Sequence, residues 1–131
     1  LSGSLGEKEM SVRVVDASAL SALVFGEPKA QKISDALSDE PMVAPSFIWF
    51  ELASICLKKI KAHPLEKTLI LEAFDLARRL DIEMIEVDHL AVIELANDTG
   101  LTIYDASYVW LALELKGELI TLDAKMITAM I

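Results

Sequence analysis

Short apolar segments alternate with longer helical segments along this chain, and this alternation limits the folds available to it. Each apolar segment is followed by a stretch with helical spacing, which leaves little sequence for hairpins. Strands separated by helices pair in parallel through crossover connections. The sequence therefore predicts an α/β fold, with a central parallel sheet of four to five strands and helices on both faces. The expected strands are 13–15, 41–45, 82–87 and 119–122.

Capping and breaking residues set the expected bounds of the helices. Side chains that accept hydrogen bonds from free backbone N–H groups precede several of them, and glycine or proline follows. We expect Ser46, Asp88, Asp105 and Asp123 to be N-caps. The expected helices follow Asp16 up to the Gly26-Glu27-Pro28 break, and then span 29–37, 46–62, 65–80, 88–100, 105–117 and the segment from 123 onward.

The composition indicates one domain with an unusually apolar interior or surface. The chain has 131 residues, of which 53 % are hydrophobic, and its mean hydropathy is +0.43. Such values predict a strongly buried parallel sheet or an apolar face that an oligomer or another protein covers. The formal charge of −9 argues against a broad electrostatic surface for nucleic acid. Any role on nucleic acid must depend on local basic groups and on cations at the site.

The first nine residues differ from the rest of the chain. Leu1 to Glu9 is small and polar and precedes Met10, so we interpret 1–9 as an expression remnant and 10–131 as the domain. No apolar stretch reaches the roughly 18 residues that a membrane span needs, and no basic segment leads into an apolar one. The lone Cys56 has no cysteine to pair with. We therefore expect a cytoplasmic protein without a membrane segment.

Three aspartates stand at positions where a ligand crevice is expected. Ligands of open parallel sheets bind beyond the carboxyl ends of the strands, where the strand order reverses. Asp16 and Asp123 each follow an expected strand directly, and Asp105 follows the apolar segment 101–104 at a helix start. Taken singly, each aspartate could simply cap its helix. Their shared position relative to the sheet makes them candidate site residues.

Glu51 is a fourth candidate because it interrupts an apolar helical segment, 47–57. Its carboxylate should lie at a buried surface, where an ionised group needs a cationic neighbour or takes up a proton. The nearest following lysine, Lys58, is seven positions away, too far along the helix to be its direct partner. A distant Lys or Arg partner remains the alternative to a functional role.

Four carboxylates in one crevice would repel each other and raise one another's pKa unless a multivalent cation lay among them. Oxygen ligands without His or Cys favour Mg²⁺ or Mn²⁺ over zinc. An ion of this kind lowers the pKa of a water molecule and neutralises charge on phosphoryl oxygens. The carboxylates therefore predict a metal-dependent hydrolase of phosphodiesters.

Four short segments together resemble the signature of the PIN-domain family, and most closely its VapC-type toxins. Order and spacing agree from about Val14 to Met126. The segments are Val15-Asp16-Ala17-Ser18-Ala19-Leu20, Phe50-Glu51-Leu52-Ala53, Thr102-Ile103-Tyr104-Asp105-Ala106-Ser107-Tyr108 and Thr121-Leu122-Asp123. The resemblance implies an endoribonuclease that uses Mg²⁺ or Mn²⁺, is often a dimer and is usually restrained by a cognate antitoxin protein.

The resemblance also implies roles for particular residues. The catalytic and metal-binding residues would be Asp16, Glu51, Asp105 and Asp123. Ser18 and Thr121 match hydroxyl positions that support the first and last of these aspartates, although either could instead satisfy backbone at a strand end.

Basic and aromatic residues complete the set of candidates. Lys125, two residues beyond Asp123, is predicted to contact substrate. Basic residues at two helix ends could bind phosphates or merely complement the helix dipole; they are Lys58, Lys59, Lys61, Arg78 and Arg79. Aromatic residues within the apolar helices are expected in the core or an interface rather than as base-stacking surfaces; they are Phe47, Trp49, Phe50, Tyr108 and Trp110.

Two alternatives to the ribonuclease stay open at this point. A phosphoacceptor receiver domain is also a small doubly wound protein with an acidic Mg²⁺ pocket. Receivers place an acidic pair near the start of the chain, whereas here the first strand ends in the single Asp16. The second alternative is a catalytically silent domain of the same fold that only binds a partner.

Overall fold

The computed structural model describes residues 11–131, so the predicted remnant at 1–9 lies outside the described residues. A four-stranded sheet forms the centre, and all its strand pairs are parallel. The strands are β1 (Arg13–Val15), β2 (Met42–Ala44), β3 (Ile82–Met84) and β4 (Glu118–Ile120). The predicted α/β fold with a parallel sheet is confirmed.

Seven α-helices connect and flank the strands within the described residues. The predicted helical segments all exist, with bounds that differ by a few residues. The helices are α1 (Ala17–Val24), α2 (Ala30–Leu37), α3 (Ile48–Ala62), α4 (Lys67–Ala77), α5 (His89–Thr99), α6 (Ile103–Leu115) and α7 (Ala124–Ala129), and a short 3₁₀ helix spans Pro64–Glu66. None of these helices in residues 11–131 is long and apolar enough to cross a membrane.

The strand order β3-β2-β1-β4 places a topological switch beside β1. The chain proceeds from β1 through β2 to β3 in one direction and then crosses back to β4 on the other side of β1. Right-handed crossovers in opposite directions put helices on both faces of the sheet. The switch therefore lies between the carboxyl ends of β1 and β4, where a ligand crevice is expected.

The core lies around β1 because this strand is central. Val14 and Val15 are fully buried, and small residues on α1 let that helix approach the sheet closely. From the other elements, Val43, Val109 and Leu111 contribute buried side chains. Burial of both faces of the sheet explains part of the high hydropathy.

The start of β4 depends on a close approach between two strands. A Cβ atom on Gly117 would lie 2.8 Å from the carbonyl oxygen of Val12 and 2.7 Å from its Cγ2. The N–H of Glu118 donates to that same carbonyl at 3.0 Å. Glycine is therefore required for β4 to pair with the entry to β1.

Several predicted boundaries are wrong for local reasons. The third strand ends at Met84 rather than at residue 87, and Glu83 and Met84 are exposed on the edge of the sheet. Ser46 does not cap α3, since Phe47 occupies the N-cap without a side-chain hydrogen bond.

The predicted capping role of Asp105 is also wrong. Thr102 is the N-cap of α6, and its hydroxyl accepts a hydrogen bond from the N–H of Asp105 at 3.1 Å. Asp105 is the third residue of the helix. Asp123 caps α7 as expected, but it follows the last residue of β4, Ile120, by three positions instead of directly.

Candidate metal centre

Asp16 lies at the carboxyl end of β1 and is the N-cap of α1, with 4 % of its surface exposed. Its Oδ1 accepts hydrogen bonds from the N–H of Ala19 at 2.9 Å and from the hydroxyl of Ser18 at 2.8 Å. Its Oδ2 accepts from the hydroxyl of Thr121 at 2.5 Å. Asp16 thus does cap its helix, and the same contacts hold its carboxylate in one orientation at the switch.

The hydroxyls of Ser18 and Thr121 also bind the backbone that follows β4. The Ser18 hydroxyl accepts from the N–H of Leu122 at 3.1 Å, and the Thr121 hydroxyl accepts from the N–H of Asp123 at 3.0 Å. The N–H of Asp16 itself donates to the carbonyl of Ile120 at 3.1 Å. The ends of β1 and β4 are therefore joined by side-chain and backbone hydrogen bonds around one carboxylate.

Glu51 lies in the first turn of α3 and is half-buried. Its Oε1 accepts a hydrogen bond from the hydroxyl of Tyr108 at 2.6 Å. Burial and the charge of Glu51 raise the pKa of Tyr108, so this phenol stays protonated and remains a donor at neutral pH. The sequence predicted a cationic partner for Glu51, but the partner that the structure supplies is a neutral hydroxyl.

Asp105 and Tyr108 lie three positions apart on α6 and hence on the same face of that helix. Asp105 is half-buried, whereas Tyr108 is 1 % exposed. The helix carries both side chains toward Glu51 of α3. Tyr108 is a core residue, which agrees with its predicted place in the core or an interface, but it is also a site residue that the sequence analysis missed. Its spacing from Asp105 was the available signal.

The pKa values of Asp16, Glu51 and Asp105 are all raised, in each case first because burial disfavours the charged form. The charge of Asp105 further raises the pKa of both Asp16 and Glu51, and Asp16 further raises that of Glu51. Hydrogen bonds from Thr121 to Asp16 and from Tyr108 to Glu51 act in the opposite direction. The three carboxylates are thus close enough to repel one another, and we call them the acidic centre.

Asp123 is coupled to the acidic centre through Asp105. Its charge raises the pKa of Asp105, while the charge of Lys125 lowers it. Asp123 also caps α7, with its Oδ1 accepting from the N–H groups of Lys125 at 2.8 Å and Met126 at 3.2 Å. The charges of both predicted residues, Asp123 and Lys125, therefore act on Asp105.

Donor chemistry and charge determine whether these residues fit a divalent cation. The acidic centre presents only carboxylate oxygens, which Mg²⁺ and Mn²⁺ prefer, and its repulsion is the kind that a cation relieves. Within residues 11–131, the side-chain positions do not bring three or more Asp, Glu, His or Cys residues together in an arrangement that could hold a metal ion. The residues fit a divalent cation by the chemistry of their donor atoms.

Two of the basic residues at the helix ends, Lys59 and Arg78, have structural partners in the described chain. Lys59 pairs with Glu27 at 2.6 Å and lies over the ring of Phe25. The guanidinium of Arg78 lies 5.1 Å from the ring centroid of Trp49. These contacts favour the structural interpretation of both residues.

Comparison with known proteins decides the family. Residues 13–129 match the PIN domain family. The chain belongs to the PIN domain family. PIN domains are generally metal-dependent nucleases that use divalent ions, so the assignment agrees with an acidic centre at the switch of a parallel sheet.

The fold of this PIN domain resembles that in the crystal structure of PAE2754 from Pyrobaculum aerophilum. The two share 24 % sequence identity with a TM-score of 0.72, over 92 % of this chain and 86 % of that one. At this identity the likeness concerns the fold alone. Among curated proteins, none matches this chain.

Proposed function

We propose that this PIN domain is a Mg²⁺- or Mn²⁺-dependent endoribonuclease of the VapC type, the toxin of a toxin–antitoxin pair. One observation supports the nuclease proposal: at the switch between β1 and β4, the Asp105 carboxylate lies close enough to Asp16 and Glu51 for its charge to raise the pKa of both. Carboxylates concentrated in this way are costly unless they share a cation.

The residues of the acidic centre would hold the metal, with Asp123 assisting through its proximity to Asp105. A bound divalent ion lowers the pKa of a water molecule and neutralises charge on the phosphoryl oxygens of the substrate. Ser18 and Thr121 keep the Asp16 carboxylate in one orientation, because both hydroxyls donate to it. Orientation of this kind lets the ligand act without reorganisation when substrate binds.

Lys125 is our candidate for contact with the RNA backbone. Its ammonium is near enough to Asp105 to lower the pKa of that carboxyl, and the residue is exposed. Because the net charge is −9, the chain has no net positive charge with which to attract phosphates. The metal and Lys125 together would supply the cations that the phosphodiester needs.

Exposed leucines support the protein partners that we propose, a cognate antitoxin and a second copy of this chain. On α3, the 3₁₀ helix and α4, these side chains are 51–102 % exposed; they are Leu57, Leu65, Leu69 and Leu76. Apolar surface of this extent is typical of an interface. A cytoplasmic location is part of the same proposal, because an RNA-cleaving toxin acts where RNA is.

The experiment that tests the nuclease proposal compares two capping aspartates. Purified protein is incubated with structured RNAs and Mg²⁺ or Mn²⁺, with EDTA as a control, and the cut ends are mapped. Asp16→Asn should abolish cleavage. Asp88→Asn is the matched control, because Asp88 caps α5 through the N–H of Ala91 and lies outside the acidic centre.

Loss of cleavage in Asp16→Asn alone supports the proposal, whereas cleavage that survives both EDTA and this substitution refutes it. A silent binding module is the second candidate, favoured by the lack of a preformed three-ligand group in residues 11–131. It predicts a folded wild-type protein that cuts no RNA. The PIN assignment disfavours the receiver domain, which would instead be phosphorylated stably by a small phosphodonor.

A further inference from the structure

An open cleft lies beside Glu51, between the start of α3 and the start of α6. Its volume is about 290 Å³, and it is lined by Phe47, Phe50, Glu51, Ser54 and Tyr104. We call it the aromatic cleft. Phe50 is 82 % exposed and Tyr104 is 55 % exposed, so of the two places expected for Phe50, the core or an interface, the structure excludes the core.

We propose that the aromatic cleft binds one unpaired nucleobase of the RNA, next to the phosphate at the acidic centre. The proposal rests on the nuclease function and adds to it a site for the base. Glu51 belongs both to the cleft and to the acidic centre. A nucleotide with its phosphate at the centre would therefore have its base within reach of the cleft.

Edge-to-face packing between aromatic rings holds part of the cleft lining in place. The Phe47 ring lies edge-on to Tyr104, with centroids 5.1 Å apart, and edge-on to Tyr108, with centroids 5.4 Å apart. Tyr108 in turn donates its hydrogen bond to Glu51. Two of the lining rings, Phe47 and Tyr104, are thus connected to the Glu51 carboxylate by one continuous set of contacts.

Stacking suits the charge of this chain better than backbone contacts do. A net charge of −9 provides little affinity for phosphates, whereas stacking of a base on an aromatic ring needs no positive charge. Exposed Phe50 and Tyr104 offer ring surface for that purpose. The Ser54 hydroxyl, also at the cleft, can accept or donate a hydrogen bond at the edge of a base.

A second copy of this chain is the competing occupant. An apolar interface placed here would cover Glu51, and burying a carboxylate without a charged partner is costly. A single nucleobase is smaller than a protein interface, so it can occupy the cleft while the Glu51 carboxylate stays accessible to a metal ion. Bases within a duplex cannot present their faces to a cleft, so the proposal specifies an unpaired nucleotide.

The test uses a short single-stranded RNA with 2-aminopurine, a base analogue whose fluorescence falls on stacking. Binding is measured with Ca²⁺ in place of Mg²⁺, and cleavage of the same RNA is measured separately with Mg²⁺. Phe50→Ala removes the ring, Phe50→Leu keeps apolar bulk without a ring, and Phe50→Tyr keeps the ring. Leu90→Ala, at a 76 % exposed position of α5, is the control.

We expect quenching with the wild type, Phe50→Tyr and Leu90→Ala. Phe50→Ala and Phe50→Leu should lose the quenching and bind the RNA about ten-fold more weakly. The proposal is overturned if Phe50→Leu matches the wild type, or if sedimentation shows that Phe50→Ala only dissociates a dimer and leaves quenching intact.

The two proposals fail in different ways. If the protein cuts RNA in a metal-dependent way but the Phe50 variants quench 2-aminopurine as the wild type does, the nuclease proposal is supported and the base site is refuted. Quenching that depends on Phe50, without any cutting, refutes the nuclease and leaves the cleft as a nucleobase site. A protein that neither cuts nor quenches refutes both.

Discussion

The hydroxyl of Tyr108 donates a hydrogen bond to Oε1 of Glu51 at 2.6 Å and so joins α6 to α3 at the acidic centre. This bond lowers the pKa of Glu51 against the effects of burial and of two neighbouring carboxylates. A buried tyrosine thus keeps Glu51 both oriented and more easily ionised.

Replacement of Tyr108 by Phe should therefore raise the pKa of Glu51. The acidic limb of the pH–rate profile for RNA cleavage should move to higher pH, and the free energy of unfolding should fall by about 1 kcal/mol. Tyr104→Phe is the matched control, because it removes a tyrosine hydroxyl that is not bonded to Glu51. An unchanged pH profile in Tyr108→Phe would contradict the positioning role.

Asp105→Asn should stabilise the protein at pH 7 without metal and should abolish cleavage. The pKa of Asp105 is raised on folding, so the folded state binds more protons than the unfolded state just above the ordinary carboxyl pKa. Stability therefore falls as pH rises through the raised pKa, and a neutral side chain avoids this loss. We expect the midpoint of thermal unfolding to rise by roughly 1 to 3 °C at pH 7 and not at pH 4.

Asp75→Asn, at an exposed position of α4, is the control for that experiment. Its midpoint should stay near that of the wild type at both pH values. A lower unfolding midpoint for Asp105→Asn at pH 7 would show that the ionised Asp105 carboxylate does not destabilise the folded state.

Thr121→Val should weaken the support of Asp16. The variant keeps the shape of the side chain but loses the hydroxyl that donates to the buried carboxylate. Because this hydrogen bond lowers the pKa of Asp16, its loss raises that pKa and moves the acidic limb of the cleavage profile to higher pH. Hydrogen bonds to charged groups contribute about 2 kcal/mol, so the free energy of unfolding at pH 7 should fall by that amount. Thr121→Ser should retain both properties, and a serine variant as impaired as the valine variant would count against the role of the hydroxyl.

Gly117→Ala should disturb the pairing of β4 with the entry to β1. The added Cβ would meet the backbone of Val12 at less than 3 Å, and relief of such a contact costs about 1 to 3 kcal/mol. Thermal unfolding followed by circular dichroism should show the loss. A midpoint equal to that of the wild type would mean that the strands accommodate the methyl group freely.

The fold could be predicted from the sequence because its signals are local. Two valines form most of the strand at 13–15, Asp16 caps the next helix, and Gly100 ends α5 in the left-handed conformation. The start of α6 shows the limit of such signals. Thr102 and Asp105 are spaced as an N-cap and its N3 partner, and choosing the wrong member of that pair misplaced the helix start by three positions.

The acidic centre could be predicted only in part, because its geometry depends on packing between distant segments. Its position directly after a predicted strand identified Asp16 as a candidate, but no local pattern shows that Tyr108 faces Glu51 across 57 positions. Apolar residues occur on all faces of α3, so their periodicity does not distinguish the exposed Phe50 from the buried Leu52. Membership of Asp105 and Asp123 in one metal site remains a prediction.

We infer that carboxylates far apart in the chain share one divalent ion. The purified protein is titrated with Mn²⁺, and free Mn²⁺ is measured by electron paramagnetic resonance, for the wild type, Glu51→Gln and Asp88→Asn. We predict a bound ion in the wild type and in Asp88→Asn, with affinity at least ten-fold weaker in Glu51→Gln. Equal Mn²⁺ affinity in Glu51→Gln and the wild type would show that Glu51 does not share a metal ion with the aspartates.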